Sequence, residues 1–343
     1  MRRWRLKLPA AFGLALAIVA AGRAAVLVNG AGATFPYPIY SKWFDEFHKR
    51  NPDVQINYQS IGSGGGIRQV TDGTVDFGAS DGPMTDEQLA ATKVPILHLP
   101  TVLGAVVPTF NLKGVESLRF TPEILAGIFL GKITRWDDSA IAQANPGVTL
   151  PTQAIVPVHR SDGSGTTYVF TDYLTKVSRE WAGSVGKGTA VNWPVGLGGK
   201  GNEGVTGLVK QTPNAIGYVE LVYAVQNKLP VGAVKNRGGR FVDASLDSIT
   251  AAAASAASNM PPDFRVSITD AAAAEAYPIA SFTWLLVPAR IKDAEKGRAL
   301  KEFLVWMLAD GQKLAPSLQY APLPEAVIGL ERQALERITV GST

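Results

Sequence analysis

The chain contains no cysteine among its 343 residues, and this absence excludes several kinds of structure. Without thiols there is no disulfide framework, so packing alone must hold the fold. A lipid-anchored secreted protein needs a cysteine at its cleavage site, and this class is excluded too. The absence does not argue against an oxidising compartment.

Histidine is nearly as scarce, with three residues in the whole chain. His48, His98 and His159 are too few and too scattered for a metal or catalytic cluster, and surface, core and site-rim positions are the expected ones. A Gly-Lys-Ser/Thr phosphate loop is also missing, so nucleotide hydrolysis has no support. We therefore expect neither a metal nor a cofactor.

The beginning of the chain predicts a secretory signal peptide. Four basic residues lie within the first seven, and an uncharged apolar run from Pro9 to Ala21 follows. This run is too short to cross a hydrocarbon core of roughly 30 Å, which takes about 20 residues. The small residues Gly22 and Ala24 predict cleavage after Ala24. We expect residues 1–24 to be removed and the mature protein to lie, without a lipid anchor, in the periplasm.

Removal of this leader changes the charge balance. The full chain has 33 Lys and Arg against 29 Asp and Glu. Five of the basic residues belong to the leader, which leaves 28 against 29 and a net charge of −1. A nearly neutral surface argues against nucleic-acid binding, which usually shows a basic patch.

The remaining 319 residues exceed what one hydrophobic core usually supports, so two domains are expected. Strand-like runs alternate with apolar residues at helical spacing, which predicts an α/β fold. An alanine-rich stretch, Ala251–Ala257, is predicted to be an exposed helix or loop. The predicted strands include 54–58, Val75–Ala79, Ile96–Leu99, Ile155–Val158, Ile216–Val219 and Phe282–Val287.

Three predicted strand-to-helix junctions combine glycine with serine or threonine. A helix start attracts anions because its N–H groups lack partners and carry partial positive charge. Glycine allows a close approach, and hydroxyl groups donate hydrogen bonds. An N-cap alone would explain any one junction, but three favour an oxyanion site, especially with Arg160 beside one and Asp81 following a strand. The junctions are Gly30–Phe35, Gly62–Gly66 and Arg160–Thr166.

Another glycine pattern, Gly196-x-Gly198-x-x-Gly201 with Glu220 downstream, fits a dinucleotide-binding fingerprint. The strand that should precede it, Thr189–Val195, is short and contains a proline. A nicotinamide cofactor is also out of place outside the cytoplasm. We interpret these glycines as a tight structural turn and expect no dinucleotide.

Taken together, the anion loops resemble the phosphate-contacting segments of periplasmic phosphate-binding proteins of ABC-type phosphate importers. The resemblance extends over nearly the whole mature chain, and it implies two α/β lobes of the periplasmic binding protein fold, joined by two hinge crossovers. The segments that carry it are Gly30–Phe35, Gly62–Ser63, Asp76–Asp81, Leu130–Ile133, Trp136–Asp138, Arg160–Thr166, Gly196–Gly201 and Ile216–Glu220.

This resemblance also implies the residues that bind phosphate and the partners of the protein. Asp81 would accept a hydrogen bond, Arg160 would supply the positive charge, and Asp162 would pair with Arg160. No catalysis is implied, and the expected partners of a monomer are the membrane permease subunits of the importer. The implied phosphate ligands are Thr34, Phe35, Ser63, Asp81, Arg160, Ser164, Gly165 and Thr166.

The apolar stretches Thr101–Val107 and Ala280–Leu286 are the candidate crossovers between the lobes. They divide the mature chain into a discontinuous lobe I, residues 25–104 and 280–343, and a lobe II, residues 105–279. The implied ligands then come from both lobes.

An acidic residue beside an anion needs a chemical reason. Phosphate near neutral pH keeps at least one proton, which a carboxylate accepts, whereas sulfate has none to offer. Asp81 therefore predicts rejection of sulfate, but it does not separate phosphate from arsenate.

One alternative from a different class is a periplasmic phosphatase with Ser164 as nucleophile and Asp81 as acid. It is disfavoured because the sequence offers no evident metal cluster or general base.

Overall fold

The structure is a computed structural model that describes residues 25–341. The predicted signal peptide, residues 1–24, lies outside the described residues. Within residues 25–341, no helix is both long enough and apolar enough to cross a membrane.

Strands and helices alternate along most of the chain. The strands are β1 Val26–Gly32, β2 Val54–Ser60, β3 Phe77–Ser80, β4 Ile96–Phe110, β5 Arg119–Phe120, β6 Val156–Arg160, β7 Leu197–Gly199, β8 Ala215–Glu220, β9 Ala233–Lys235, β10 Phe241–Val242, β11 Ala280–Pro288, β12 Arg290–Ile291 and β13 Thr339–Val340. The α-helices are α1 Tyr37–Arg50, α2 Ser63–Asp72, α3 Asp86–Ala90, α4 Pro122–Phe129, α5 Ser139–Ala144, α6 Gly165–Val177, α7 Arg179–Ser184, α8 Gly201–Gln211, α9 Leu221–Gln226, α10 Leu246–Ala257, α11 Ala294–Trp306 and α12 Glu325–Leu335. A π-helical turn, Met307–Gly311, and a 3-10 helix, Gln312–Leu318, follow α11.

One eight-stranded sheet has the order β2-β1-β3-β11-β4-β8-β6-β7. Parallel strands form each side of it: β1 pairs with β2 and β3, and β6 pairs with β7 and β8. The same βαβαβ arrangement thus occurs twice, around β1 to β3 in lobe I and around β6 to β8 in lobe II. This architecture confirms the predicted two-lobe α/β fold.

Strand β4 joins the two halves of the sheet. Its first part pairs antiparallel with β11, from Ile96 to Ala105, and its second part pairs antiparallel with β8, from Val106 to Phe110. All fifteen residues of β4 are buried. A strand buried on both faces reads as a nearly continuous apolar run, which accounts for the apolar stretch Thr101–Val107 in the sequence.

Helix α1 illustrates how the apolar periodicity becomes packing. Ile39, Trp43 and Phe47 recur every four residues and are fully or almost fully buried. The last turn carries basic residues, which favour the partial negative charge at a helix C-terminus. The rings of α1 pack against Phe303 of α11, so these two helices share one aromatic cluster in lobe I.

Two predictions about local structure were wrong. The segment Thr189–Val195 forms no strand, and the strand next to it is the three-residue β7, which pairs with β6. The alanine-rich stretch Ala251–Ala257 belongs to α10, but it is not simply exposed. Ala252 and Ala253 are fully buried, because small side chains let α10 pack closely on β4 and β11.

Candidate functional site

Lobe I contributes three loops, each at the carboxyl end of a parallel strand. Thr34 and Phe35 follow β1, Ser63 begins α2 after β2, and Asp81 follows β3. All four are buried. Ligands of open α/β sheets bind in the crevice outside these strand ends.

The N-cap explanation fails for both hydroxyl groups of lobe I. The residues at the N-caps of α1 and α2 are Pro36 and Gly62, and neither helix has a side-chain cap. The hydroxyl groups of Thr34 and Ser63 therefore have no capping role at these helices. In lobe II, by contrast, Ser164 is the N-cap of α6, and its Oγ accepts a hydrogen bond from Thr167 N–H at 3.0 Å. Its hydroxyl hydrogen remains able to donate elsewhere.

Lobe II contributes the carboxyl end of β6 and the start of α6. Arg160 is the last residue of β6, and Gly165 and Thr166 form the first turn of α6. All three residues are buried. A positive charge and a helix N-terminus therefore lie at the same strand end.

The structure brings these two groups of residues together across the cleft. A methyl group on Gly165 would clash with the Ser63 hydroxyl and with Asp81 Oδ2, so these atoms of the two lobes are neighbours. Gly64 N–H donates to the carbonyl oxygen of Gly163 at 2.9 Å, which is a second direct link. The structure therefore shows the lobes closed.

Arg160 is held by a buried, two-pronged ion pair. Its Nε lies 2.7 Å from Asp162 Oδ1 and its Nη2 lies 2.5 Å from Asp162 Oδ2. Burial alone would raise the pKa of Asp162, but the hydrogen bonds from Arg160 and from Gly201 N–H outweigh this effect. The pKa of Asp162 therefore lies below its usual value. Asp162 is thus a carboxylate that neutralises and orients the guanidinium group.

Asp81 is the other carboxyl group of the site, and it is only half satisfied. Thr283 donates a 2.7 Å hydrogen bond to Oδ1, whereas Oδ2 is buried without a partner. Burial raises the pKa of Asp81 to about 7, although the Thr283 hydrogen bond and the charge of Arg160 both lower it. The unsatisfied oxygen adjoins Ser63 and Gly165, where it can accept a proton from a ligand.

Sequence reasoning missed Asn202, the second residue of α8. It is fully buried, and its side-chain amide contacts the hydroxyl groups of Thr34 and Thr166. The glycine pattern that leads into α8 was interpreted as a tight turn. It does more, because Gly201, at φ 72°, also donates its N–H to Asp162. The signal that could have located Asn202 is its position in the chain. Helix α8 follows the second parallel strand of lobe II, just as α2, which begins with Ser63, follows the second parallel strand of lobe I.

Two tyrosines were missed as well. Tyr223 of lobe II donates a hydrogen bond to the carbonyl oxygen of Thr34 at 2.6 Å, and Tyr320 donates to that of Phe35 at 2.6 Å. Both hydroxyl groups thus hold the backbone of the loop after β1. Neither residue lies in a glycine-rich motif, so no local pattern pointed to them.

Within residues 25–341, the histidine and acidic side chains form no metal site, because no group of three or more potential ligands occurs there. His98 is buried, and its Nε2 accepts a hydrogen bond from Met84 N–H. His159 lies beside the site but stacks on Trp193.

The arrangement as a whole can bind one small oxyanion. Hydroxyl groups, helix-start N–H groups and a guanidinium group donate, and a single carboxyl oxygen accepts. This carboxyl oxygen would repel the oxygens of a fully ionised anion, whereas a protonated anion would donate a hydrogen bond to it.

Comparisons with known proteins agree with this geometry. The family model described as "PBP superfamily domain" matches residues 19–311, which defines the class as a two-lobe binding protein. The phosphate-binding protein PstS of Xylella fastidiosa (strain Temecula1) is 48% identical over 305 residues, covering 88% of this chain and 83% of the relative. PstS of Pasteurella multocida (strain Pm70) is 45% identical over 303 residues, covering 88% and 87%. The chain therefore belongs to the PstS family of phosphate-binding proteins, a family of binding proteins and not of enzymes.

Solved structures share the fold at lower identity. A high-affinity periplasmic phosphate-binding protein, PfluDING, solved with phosphate at pH 8.5, matches with a TM-score of 0.73 and 22% identity over 92% of this chain and 96% of that chain. A phosphate-binding protein from Stenotrophomonas maltophilia matches with a TM-score of 0.70 and 21% identity over 90% and 93%.

Gly165→Ala tests the close approach of the two lobes. The added methyl group would occupy the space beside Ser63 and Asp81, so affinity for a tetrahedral oxyanion should fall by about a hundredfold or more, as expected for a clash of a few kcal/mol. Isothermal titration calorimetry measures this change.

The matched control is Gly207→Ala, because a methyl group there meets nothing within 4 Å. It should leave affinity unchanged. If Gly165→Ala bound as tightly as wild type, Gly165 would not line the site.

Proposed function

We propose that this protein binds inorganic phosphate in the periplasm and delivers it to the membrane subunits of an ABC-type importer. The observation that carries the proposal is the buried, unpartnered Oδ2 of Asp81 within a set of hydrogen-bond donors. Membership of the PstS family supports the same ligand.

The proposed ligands combine backbone and side-chain donors from both lobes. Thr34, Ser63, Ser164 and Thr166 offer hydroxyl groups, and the helix starts offer N–H groups. Asp162 contributes indirectly by holding Arg160. The complete proposed set of phosphate ligands is Thr34, Phe35, Ser63, Asp81, Arg160, Ser164, Gly165 and Thr166.

The hydrogen bonds of Arg160 leave a suitable pair of donors. A guanidinium group has five N–H bonds. Two of them bind Asp162, and a third reaches Thr166 Oγ1 at 3.3 Å. One N–H on each terminal nitrogen remains, and together they form a fork that fits two phosphate oxygens. Because Asp162 neutralises the guanidinium charge, most of the binding would come from oriented dipoles.

Asp81 would distinguish phosphate from sulfate. Its Oδ2 accepts the proton that phosphate retains near neutral pH, and no equivalent hydrogen bond exists for sulfate. Leaving a buried polar group unpaired is the strongest means of rejecting an analogue. Arsenate keeps a comparable proton, so the same site would accept it too.

Lobe closure would place ligands from both sides around one anion. We propose boundaries at residues 25–104 and 280–343 for lobe I and 105–279 for lobe II. The change of partner along β4 supports this division, since Ala105 pairs with Ala280 of β11 and Val106 pairs with Glu220 of β8. The first crossover is then β4, and the second lies where the chain enters β11 at Ala280.

The cellular setting follows from the leader and from the family. We propose that residues 1–24 are cleaved and that the mature monomer is not lipid-anchored. Its partners would be phosphate and the importer's permease subunits, with no nucleic acid and no dinucleotide.

Binding without turnover is favoured over a phosphatase. A serine nucleophile needs a base within hydrogen-bond reach. Among the described residues, the hydrogen bond on Ser164 Oγ comes from Thr167 N–H, which is a donor and cannot remove a proton.

Asp81→Asn tests the origin of selectivity. Wild type should bind phosphate at least about a hundredfold more tightly than sulfate, because only phosphate satisfies Oδ2. The amide of the variant can donate to sulfate, so this ratio should fall by about tenfold or more. Titration calorimetry with both anions measures it, and Asp137→Asn, an exposed ion-pair variant, is the control that should keep the wild-type ratio. An unchanged ratio in Asp81→Asn would place selectivity elsewhere.

Small-angle scattering tests closure. Protein stripped of phosphate should have a larger radius of gyration than phosphate-loaded protein, because the ligands of the two lobes meet only when the cleft closes. Arg160→Ala should reduce this compaction even at saturating phosphate. Equal radii for stripped and loaded wild type would indicate a preformed, static pocket.

A further inference from the structure

Asn202 lies where the two lobes and two proposed phosphate ligands meet. It is fully buried at the start of α8 in lobe II. Its Nδ2 is 2.8 Å from Thr34 Oγ1 of lobe I and 3.0 Å from Thr166 Oγ1 of lobe II. One amide group therefore bridges hydroxyl groups that are far apart in sequence and belong to opposite sides of the cleft.

The orientation of this amide is determined by the backbone of β8. Glu220 N–H donates to Asn202 Oδ1 at 2.9 Å. An N–H group cannot accept a hydrogen bond, so the atom facing it must be the amide oxygen. The amide nitrogen consequently faces the two threonines as a donor.

Both hydroxyl oxygens are filled on their acceptor side. Thr34 Oγ1 accepts from Asn202 Nδ2 and also from Asn202 N–H at 3.2 Å. Thr166 Oγ1 accepts from Asn202 Nδ2 and from Arg160 Nη1 at 3.3 Å. A hydroxyl group has two acceptor lone pairs and one hydrogen. With both lone pairs occupied, each threonine can use only its hydrogen, and only as a donor.

We propose that Asn202 is a positioning residue that commits the hydroxyl groups of Thr34 and Thr166 to donate to the bound anion. The inference rests on the proposed phosphate-binding function and deepens it. Without Asn202, each hydroxyl group could rotate and present a lone pair to a phosphate oxygen, which would be repelled.

This role also links hydroxyl orientation to closure. Asn202 belongs to lobe II, and its two contacts with Thr34 Oγ1 exist only while the lobes are in contact. Thr34 would therefore become a committed donor when the cleft closes. In the open protein, water would replace the Asn202 contacts and leave the hydroxyl group free to rotate.

Two substitutions at Asn202 separate orientation from packing. Asn202→Ala removes the Nδ2 donor and should weaken phosphate binding by about tenfold, the equivalent of one hydrogen bond. Asn202→Asp has nearly the same shape, but its carboxylate accepts hydrogen bonds from both threonines and turns their hydrogens away from the ligand. It should weaken binding by about a hundredfold or more, so the isosteric variant is expected to be the worse one.

The matched control is Asn145→Asp. Asn145 is also buried, its Oδ1 also accepts a backbone N–H, from Arg119, and its Nδ2 donates to Arg119 and Ile141 carbonyl oxygens. This variant should lose thermal stability and keep wild-type phosphate affinity. If Asn202→Asp bound phosphate as well as Asn202→Ala or better, the proposal would be overturned.

A double-mutant cycle separates orientation from the charge that aspartate adds. In a Thr166→Val background one of the two hydroxyl groups is gone, so the losses caused by Asn202→Ala and Asn202→Asp should each shrink by about threefold or more. Unchanged losses would mean that Asn202 does not act through Thr166. The Asn202→Ala arm decides the matter even if Asn202→Asp does not fold.

Wild-type titration keeps the two claims distinct. Absence of phosphate binding by wild type would contradict the proposed function itself. Binding by wild type together with additive effects in the cycle would contradict only the role of Asn202.

Discussion

Burial of the Asp81 carboxyl group is the constraint on which the cleft depends. In the closed arrangement one of its oxygens is satisfied by Thr283, and the other has no partner. An ionised carboxylate in this position is costly, and its raised pKa expresses that cost. Closure without ligand is therefore opposed by the protein's own charge. A protonated anion removes the opposition, since its proton satisfies Oδ2 while its oxygens satisfy the surrounding donors. Selectivity and closure then have one physical origin.

The sheet topology makes this arrangement possible. Parallel strands end on the same side in each lobe, and the helices that follow them place their N–H groups towards the cleft. Strand β4 runs through both lobes, so the two ligand groups face each other across a pair of crossovers. The positive charge of Arg160 is matched by Asp162 within lobe II. Arg160 can thus be buried in lobe II without leaving an unpaired charge when no anion is present.

The anion loops were predictable because they depend on local composition. Glycine next to Ser or Thr before an apolar helix marks each anion loop, and the structure places Ser63, Asp81 and Gly165 side by side. Asn202 was not predictable in this way. Its role depends on contact with Thr34, 168 residues away, and on a backbone N–H of β8 that orients its amide. The position of β7 was predicted wrongly because its sequence, Leu-Gly-Gly, has little intrinsic strand preference. Pairing with β6 determines its conformation.

The most direct measurement of the central claim is the radius of gyration of phosphate-free protein, wild type and Asp81→Asn, between pH 4 and pH 8. An exposed carboxyl group has a pKa of about 3.9, whereas that of Asp81 in the closed cleft is about 7. The closed state therefore binds the proton more tightly, and closure should become harder as the pH rises through this window. We expect wild type to expand from pH 4 to pH 8 and Asp81→Asn, which cannot ionise, to stay compact at pH 8. Equal radii for the two proteins at pH 8 would contradict the claim that the buried carboxylate keeps the empty cleft open.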